Sequence, residues 1–175
     1  MKSSILFILH MPPPVHGAAM VGQYIKESKP INNNFNCKYL NLGTSLSVDE
    51  IGKGGMVKVK RYFSLLFKTF RTINTFKPDL VYFTLTAKGI GFYKDALVVF
   101  LVKLMGVKVV YHFHNKGVST RQHIWLDNFL YKLIFTKAEV ILLSNHLYHD
   151  VEFYVPVSKV HLCPNGIPET EFYNV

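Results

Sequence analysis

The chain has 175 residues, enough for one domain with a sizeable core, and 49% of them are hydrophobic, which excludes an intrinsically disordered chain. Lys and Arg total 20 against 11 Asp and Glu, so the formal net charge is +9. Such a charge attracts phosphate in nucleic acids, lipid headgroups or nucleotide-like ligands, and does not choose among them. Neither Cys37 nor Cys163 has the spacing of a metal ligand or a CxxC pair, which predicts two free thiols in a reducing compartment.

Two apolar segments bear on the relation of the chain to membranes. The run 5–9 ends at His10 and three prolines, whereas a secretory leader needs about 7–15 apolar residues. Lys103 cuts the segment 96–102 well short of the roughly 20 residues of a membrane span. The sequence therefore predicts a cytoplasmic protein that does not cross a membrane.

Short β-rich runs alternate with longer helical stretches along the chain. In order, the pattern predicts a strand over 4–9, a helix over 17–28, a strand over 36–42, a loop over 43–55, a helix over 56–76, a strand over 80–85, a helix over 91–105, a strand over 107–114, a helix over 121–136, a strand over 140–144, a short helix over 146–154 and a strand over 159–163. This alternation indicates right-handed βαβ crossovers. The predicted fold is a doubly wound, mostly parallel α/β sheet with helices on both faces, as in Rossmann-like domains.

The segment 56–76 has the periodicity of a long amphipathic helix. Its predicted sheet-facing side comprises Val59, Tyr62, Phe63, Leu66, Phe70 and Ile73, and its basic side Lys58, Lys60, Arg61, Lys68 and Arg71. We expect the apolar side to pack on the sheet, while the basic side is solvated and offers contact with anionic lipid headgroups. The segment 96–105 is apolar nearly all round and predicts a buried helix.

The loop after the first strand carries small residues where the next helix begins. Gly17, Ala18 and Ala19 follow His16, and a helix start offers backbone N–H groups to a phosphate or sugar oxygen. The loop has no GxGxxG pattern and no Walker lysine, which argues against dinucleotide and P-loop sites. A plain strand-to-helix turn that binds nothing remains an alternative.

Two histidines occur in the predicted strand 107–114. Alternate residues of a strand face the same side, so His112 and His114 point together, with His114 at the carboxyl edge where ligands bind in doubly wound sheets. His114 can donate a hydrogen bond to a sugar hydroxyl or phosphate, whereas His112 is predicted to be a core residue. The pair lacks a third ligand, so no metal site is predicted.

A family resemblance joins these features. A Pro-rich loop leads to Gly17, Lys77-Pro78-Asp79 precedes a strand, another strand ends at His114, and a final strand leads to Asn165-Gly166-Ile167. In order and spacing, these motifs resemble the family 4 glycosyltransferases, which have the GT-B fold. Two departures are Ala18, where the family often has a second glycine, and Asn115, where it often has Asp or Gly.

The resemblance implies that 1–166 is the N-terminal, acceptor-side domain of a retaining glycosyltransferase. It further implies that 167–175 begins an interdomain linker, and that the nucleotide-sugar-binding domain is absent from this sequence. Because most groups that would stabilise the leaving diphosphate belong to that domain, we expect this chain alone to be inactive. The expected substrates are a nucleotide-sugar and a saccharide or lipid-linked acceptor in surface glycan synthesis, such as that of lipopolysaccharide, on the inner face of the cytoplasmic membrane.

The resemblance also assigns roles to individual residues. It makes His114 the catalytic residue that contacts the transferred sugar, and Asn165 and Gly166 the start of the linker. The predicted substrate-binding residues are His16, Gly17, Ala18, Asn115, Lys116 and Ser144. Neither a metal nor a cofactor is expected. The alternative is a non-catalytic doubly wound module for a phosphorylated small molecule, whereas a nucleic-acid partner is not predicted, because the basic residues are spread out and no recognised motif occurs.

Overall fold

The computed structural model describes residues 2–43 and 55–166. In these residues, six strands form one parallel sheet in the order β2-β1-β3-β4-β5-β6. The strands are β1 (Ser4–Leu9), β2 (Asn36–Asn41), β3 (Leu80–Thr84), β4 (Lys108–His112), β5 (Glu139–Leu142) and β6 (Val160–Leu162). The α-helices are α1 (Gly17–Glu27), α2 (Lys29–Asn34), α3 (Met56–Phe76), α4 (Gly89–Leu104) and α5 (Trp125–Phe135). The predicted doubly wound α/β fold is confirmed.

Four local differences separate the predicted elements from the observed ones. The strand predicted over 107–114 ends at His112, so His114 lies in the loop that follows β4. The prediction ends a helix at Lys29-Pro30, but Ser28 caps a new helix there: its Oγ accepts from the Ile31 N–H at 3.4 Å, and proline is tolerated in a first turn. The predicted helix 121–136 is a 3₁₀ turn followed by α5, and 146–154 is a 3₁₀ helix with turns. The interior of the predicted loop 43–55 lies outside the described residues.

The two faces of the sheet carry different helices. Ile5, Phe7 and Leu9 of β1 pack with residues of α1 and α2, whereas the alternate residues Leu6 and Ile8 belong to the larger cluster with α3, α4 and α5. This division follows from the strand order. The β1–β2 crossover runs in one direction along the sheet and the later crossovers run in the other, and right-handed connections then place their helices on opposite faces.

The carboxyl ends of the central strands meet at one edge of the sheet. Ile8 pairs with Phe83, and Thr84 pairs with His112, so the loops after β1, β3 and β4 begin side by side. Gly22 allows α1 to lie close to this edge, because a Cβ at that position would come 2.0 Å from the His10 carbonyl oxygen. The fold therefore brings the first loop and the end of β4 together.

The predicted packing of α3 is wrong in part. Leu65, Thr69 and Ile73 are buried, while Phe63 and Phe70, which were expected to face the sheet, are 63% and 47% exposed. The apolar residues of this helix cover more of its circumference than one packed face can take, and the packed side centres on Leu65 and Thr69. Val59 is exposed as well.

The prediction of a helix buried all round is likewise wrong in part for α4. Its residues Phe92, Val98, Val99 and Val102 are buried, but Leu97, Phe100 and Leu104 are exposed. In residues 2–43 and 55–166, none of the helices is both long and apolar enough to span a membrane.

Candidate functional site

Four histidines gather at the carboxyl edge of the sheet. The ring centroids of His112 and His114 lie 4.2 Å apart, which confirms that the two side chains point together. The rings of His10, which follows β1, and His16, which precedes α1, lie 5.8 Å apart edge to face. His10 connects the two pairs, since the charges of Lys94, His16 and His114 all act on it. The motifs identified separately in the sequence therefore meet at one site.

Burial keeps these imidazoles neutral. Burial is the main cause that lowers the pKa of His10 to about 3, and the nearby basic groups of Lys94, His16 and His114 lower it further. Burial and the neighbouring His114 lower the pKa of His112 to about 3, and burial lowers the pKa of His114. At neutral pH each of the three rings therefore offers one N–H donor and one acceptor nitrogen.

A tyrosine fixes the tautomer of His112. The Tyr82 hydroxyl is hydrogen-bonded to His112 Nδ1, and burial and the nearby Cys163 raise the pKa of Tyr82, so its proton stays on the oxygen. If that hydroxyl donates to Nδ1, the imidazole proton must sit on Nε2. Nε2 is buried and has no hydrogen-bond partner within the described residues.

In His114, both ring nitrogens lack a hydrogen-bond partner among the described residues. Its Nδ1 and Nε2 are buried, and within residues 2–43 and 55–166 neither finds a protein partner. A buried polar group without a partner costs about 1–3 kcal/mol, and most buried polar groups in proteins are therefore paired. A ligand with hydroxyl groups, which both donate and accept, would satisfy three such nitrogens on two neighbouring rings.

The start of α1 lies against this histidine site. His16 is the N-cap, with its Nδ1 accepting from the Ala19 N–H at 3.4 Å, and its carbonyl accepts from the Met20 N–H at 3.0 Å. A Cβ at Gly17 would meet nothing within 4 Å, so open space adjoins the first turn. The first N–H groups of a helix have no intrahelical acceptor, which makes Gly17 and Ala18 suitable donors to an anion.

Asn115 and Asp150 hold the loop after β4. Asn115 Oδ1 accepts from the Ala87 N–H at 2.9 Å and thereby ties this loop to the loop after β3. The Asp150 carboxylate accepts from the N–H groups of Gly117, Val118 and Ser119 and from the Ser119 hydroxyl, at 2.8–3.1 Å. Burial raises the pKa of Asp150, but these hydrogen bonds outweigh burial, so its pKa lies below the ordinary value.

Sequence reasoning missed a lysine at the same edge. Lys94 Nζ donates to the Leu42 carbonyl oxygen at 3.2 Å and lies 3.5 Å from the Asp95 carboxylate. Asp95 is fully buried, and burial raises its pKa, while Lys94 and the hydrogen bond from the Thr86 N–H lower it. The sequence signal that could have found it is the adjacent Lys94-Asp95 pair in the largely apolar helix α4, because charged side chains are rarely buried without a partner.

The remaining predicted residues belong to the loops after β4, β5 and β6. Lys116 is exposed in the loop after β4. Ser144 is the N-cap residue of the 3₁₀ helix Asn145–Asp150 and makes no side-chain capping bond; it follows β5, the strand next to β4. Asn165 and Gly166 are exposed and line an apolar groove of about 600 Å³ between α1 and the sheet, which Tyr82 and His112 also line. The linker predicted over 167–175 lies outside the described residues.

No group of three His, Cys, Asp or Glu side chains in the described ranges is placed to hold a metal ion.

Comparisons with known proteins show a likeness in backbone alone. No family model matches the chain, and no curated protein is similar to it in sequence. Among solved structures, MurG of Acinetobacter baumannii aligns with 97% of this chain at 14% sequence identity and a TM-score of 0.46. The alignment covers 47% of MurG, so this chain spans about half the length of that protein. A likeness of this degree says nothing about what the chain binds or catalyses.

Proposed function

We propose that the chain is the acceptor-side domain of a GT-B glycosyltransferase of the family 4 type. The complete enzyme would transfer a sugar from a nucleotide-sugar to a saccharide or lipid-linked acceptor in surface glycan synthesis. The observation that carries the proposal is the pair of neutral imidazoles of His112 and His114 at the carboxyl edge, three of whose ring nitrogens are buried without a partner among the described residues.

Neutral imidazoles suit sugar hydroxyls. A hydroxyl both donates and accepts, and His114 presents one donor and one acceptor nitrogen, so the two groups can satisfy each other. Binding a hydroxyl would also remove the cost of leaving the ring nitrogens unpaired. In this proposal His114 contacts the transferred sugar and fixes its orientation toward the acceptor.

Phosphate oxygens belong beside α1. The N–H groups of Gly17 and Ala18 and the positive end of the helix dipole favour an anion there, and Lys94 adds a full positive charge to the same edge. A diphosphate leaving group gains negative charge as the glycosidic bond breaks, so such groups stabilise the transition state more than the ground state. The remaining contacts to the nucleotide are assigned to a second domain, and we propose that this chain alone does not turn over.

A second candidate uses the same residues without catalysis. Lys94 and the first turn of α1 would also suit a non-catalytic module that binds a phosphorylated small molecule. The two candidates differ in the importance of the histidines, because a phosphate held by α1 and Lys94 does not require His114.

Titration of the purified chain with saccharides, sugar phosphates and UDP- and GDP-sugars, followed by histidine ring NMR signals, tests the proposal. We expect saccharide-bearing ligands to shift the His112 and His114 signals, and His114→Ala to weaken their binding at least tenfold. His149→Ala, at an exposed histidine on the 3₁₀ helix after β5, is the matched control. If His114→Ala left binding unchanged while inorganic phosphate competed fully, the phosphate-binding module would be favoured. Sugar transfer by the purified chain alone would contradict the assignment as an acceptor-side half.

A further inference from the structure

The groove between α1 and the sheet has the size and lining of a small-molecule site, and it is called the α1 groove below. It measures about 600 Å³, and such sites generally have about 300–1,000 Å³, apolar walls and a few polar groups. Apolar side chains of the helices and strands line most of it: Phe7, Val21, Tyr24, Ile25, Ile31 and Ile141. His112, which is 3% exposed, lines the same groove, so a buried polar ring adjoins a mostly apolar wall.

Tyr82 makes His112 a hydrogen-bond donor toward a ligand. The Tyr82 hydroxyl is bonded to His112 Nδ1, and within the described ranges this is the one hydrogen bond of either side chain. If the hydroxyl accepted from Nδ1, both its own proton and Nε2 would be without partners. If it donates, the imidazole proton is on Nε2 and that N–H is the single unpaired donor. Donation by Tyr82 therefore leaves fewer unpaired groups, and it is the arrangement we expect.

An amide carbonyl oxygen suits this donor better than a hydroxyl or an anion does. A carbonyl oxygen accepts and has no proton to place, whereas a hydroxyl bound to His112 Nε2–H must find an acceptor for its own proton. A carboxylate or phosphate also accepts, but it would bring a full charge against an apolar wall and a neutral ring, which costs more. The carbon chain of an acyl group is apolar, so it matches the rest of the α1 groove.

We propose that the sugar bound at the carboxyl edge carries an N-acyl group, whose carbonyl oxygen accepts from His112 Nε2–H and whose carbon chain lies in the α1 groove. The ring centroids of His112 and His114 are 4.2 Å apart, so adjacent substituents of one pyranose ring can reach both imidazoles. Tyr82 is then a positioning residue that determines specificity through His112. The inference rests on the proposed function, because it assigns a substrate class to the same site.

Titration of the full chain with the methyl glycosides of glucose and of N-acetylglucosamine, followed by ¹⁵N NMR of the histidine rings, tests this inference. We expect the His112 signals to show the proton on Nε2, and the N-acetyl sugar to bind about tenfold tighter, because its amide oxygen pairs a buried donor. The N-propanoyl and N-butanoyl analogues should gain about fourfold for each methylene group buried in the α1 groove. Val21→Phe, which fills part of the groove, should abolish that dependence on acyl length.

Tyr82→Phe tests the positioning role with little change in shape. It keeps the ring and removes the hydroxyl, so His112 is free to adopt the other tautomer, and the preference for the N-acetyl sugar should fall about tenfold. Tyr39→Phe is the matched control. The Tyr39 ring stacks on Phe7 at 4.9 Å and its hydroxyl donates to Asn32 Oδ1 at 2.9 Å, but Tyr39 does not line the α1 groove. This variant should keep both the tautomer and the preference of the parent chain.

The outcomes separate this inference from the proposed function. Equal binding of the two sugars, with a loss of both in His114→Ala, would overturn the N-acyl specificity and leave the sugar site in place. A proton on His112 Nδ1 in the parent chain would overturn the role of Tyr82, and this measurement needs no variant. Failure of both sugars to bind would overturn the inference and the proposed function together. Circular dichroism of every variant establishes that the fold is retained.

Discussion

The carboxyl edge and the outer sides of α3 and α4 depart from ordinary burial in opposite ways. At the edge, ring nitrogens of His112 and His114 are buried without partners among residues 2–43 and 55–166, whereas aromatic and aliphatic side chains of α3 and α4 are exposed to water. The first departure costs free energy in the folded chain until a polar ligand binds. The second costs little in stability, because exposed apolar side chains are normal on protein surfaces. Changes at the edge should therefore alter folding stability more than changes at the exposed residues of α3 and α4.

Asp150→Ala should have the largest effect on stability. It removes the carboxylate that accepts four hydrogen bonds from the loop after β4 and leaves the Gly117 and Val118 N–H groups buried without partners. We expect a loss of about 4 kcal/mol in the free energy of unfolding, measured by urea denaturation.

Asp79→Ala is the control for that measurement. Asp79 is exposed and accepts one hydrogen bond, from the Ser4 N–H at 2.8 Å, so a loss of about 1 kcal/mol is expected. Equal losses in the two variants would show that Asp150 does not hold the loop in place.

Acid should destabilise the chain through His10. Its pKa is about 3 in the folded chain against an ordinary 6.5, so below pH 6.5 the unfolded chain binds the proton that the folded chain excludes. The contribution of His10 is therefore fully present above pH 6.5 and is lost as pH falls toward 3, by about 3 kcal/mol at about pH 4. Urea denaturation between pH 4 and 7 measures this slope. His10→Gln should reduce this slope without abolishing it, because burial lowers the pKa of His112 and His114 as well, and His149→Ala should leave it unchanged. A slope unchanged in His10→Gln would contradict a buried, neutral His10.

Gly22→Ala should lower the stability of the folded chain less than protonation of His10 does, and it acts through the backbone of the carboxyl edge. The new Cβ would lie 2.0 Å from the His10 carbonyl oxygen, which belongs to the main chain and cannot turn aside. We expect a loss of about 2 kcal/mol after partial relaxation, together with displaced His10 NMR signals. Gly17→Ala is matched to it on the same helix, because nothing lies within 4 Å of its Cβ, and it should change stability by less than about 0.5 kcal/mol.

The sequence predicted the order of the elements and the pairing of His112 with His114. Apolar runs and helical periodicity are local signals, and the two-residue repeat of the predicted strand placed those two rings together. The strand itself ends at His112, and the chain stays extended enough beyond it for the rings to lie 4.2 Å apart. The meeting of His10 with His114 could not be predicted in the same way, because it depends on strand order and register. Lys94 and Asp150 were missed for the same reason: their partners are 52 and about 31–33 positions away in sequence.

The packing of α3 shows a second limit on what the sequence can predict. Periodicity places Tyr62, Phe63, Leu66 and Phe70 in one broad apolar sector, and the amphipathic pattern alone does not say which part of that sector meets the sheet. The structure packs the part near Leu65 and Thr69 and leaves the phenylalanines outside. An apolar sector wider than one packed face is the sequence signal that a second surface exists.

Phe67→Ser should therefore have the smallest effect on stability. Its ring is 64% exposed and lies outside the core, so little apolar area returns to water when it is removed. We expect the free energy of unfolding to change by less than about 0.5 kcal/mol in urea denaturation, while Leu65→Ser, two positions earlier on the packed side and 5% exposed, should lose about 3 kcal/mol or more. A loss in Phe67→Ser close to that of Leu65→Ser would mean that the ring supports the core, and the contrast between the carboxyl edge and the outer sides of α3 and α4 would then fail.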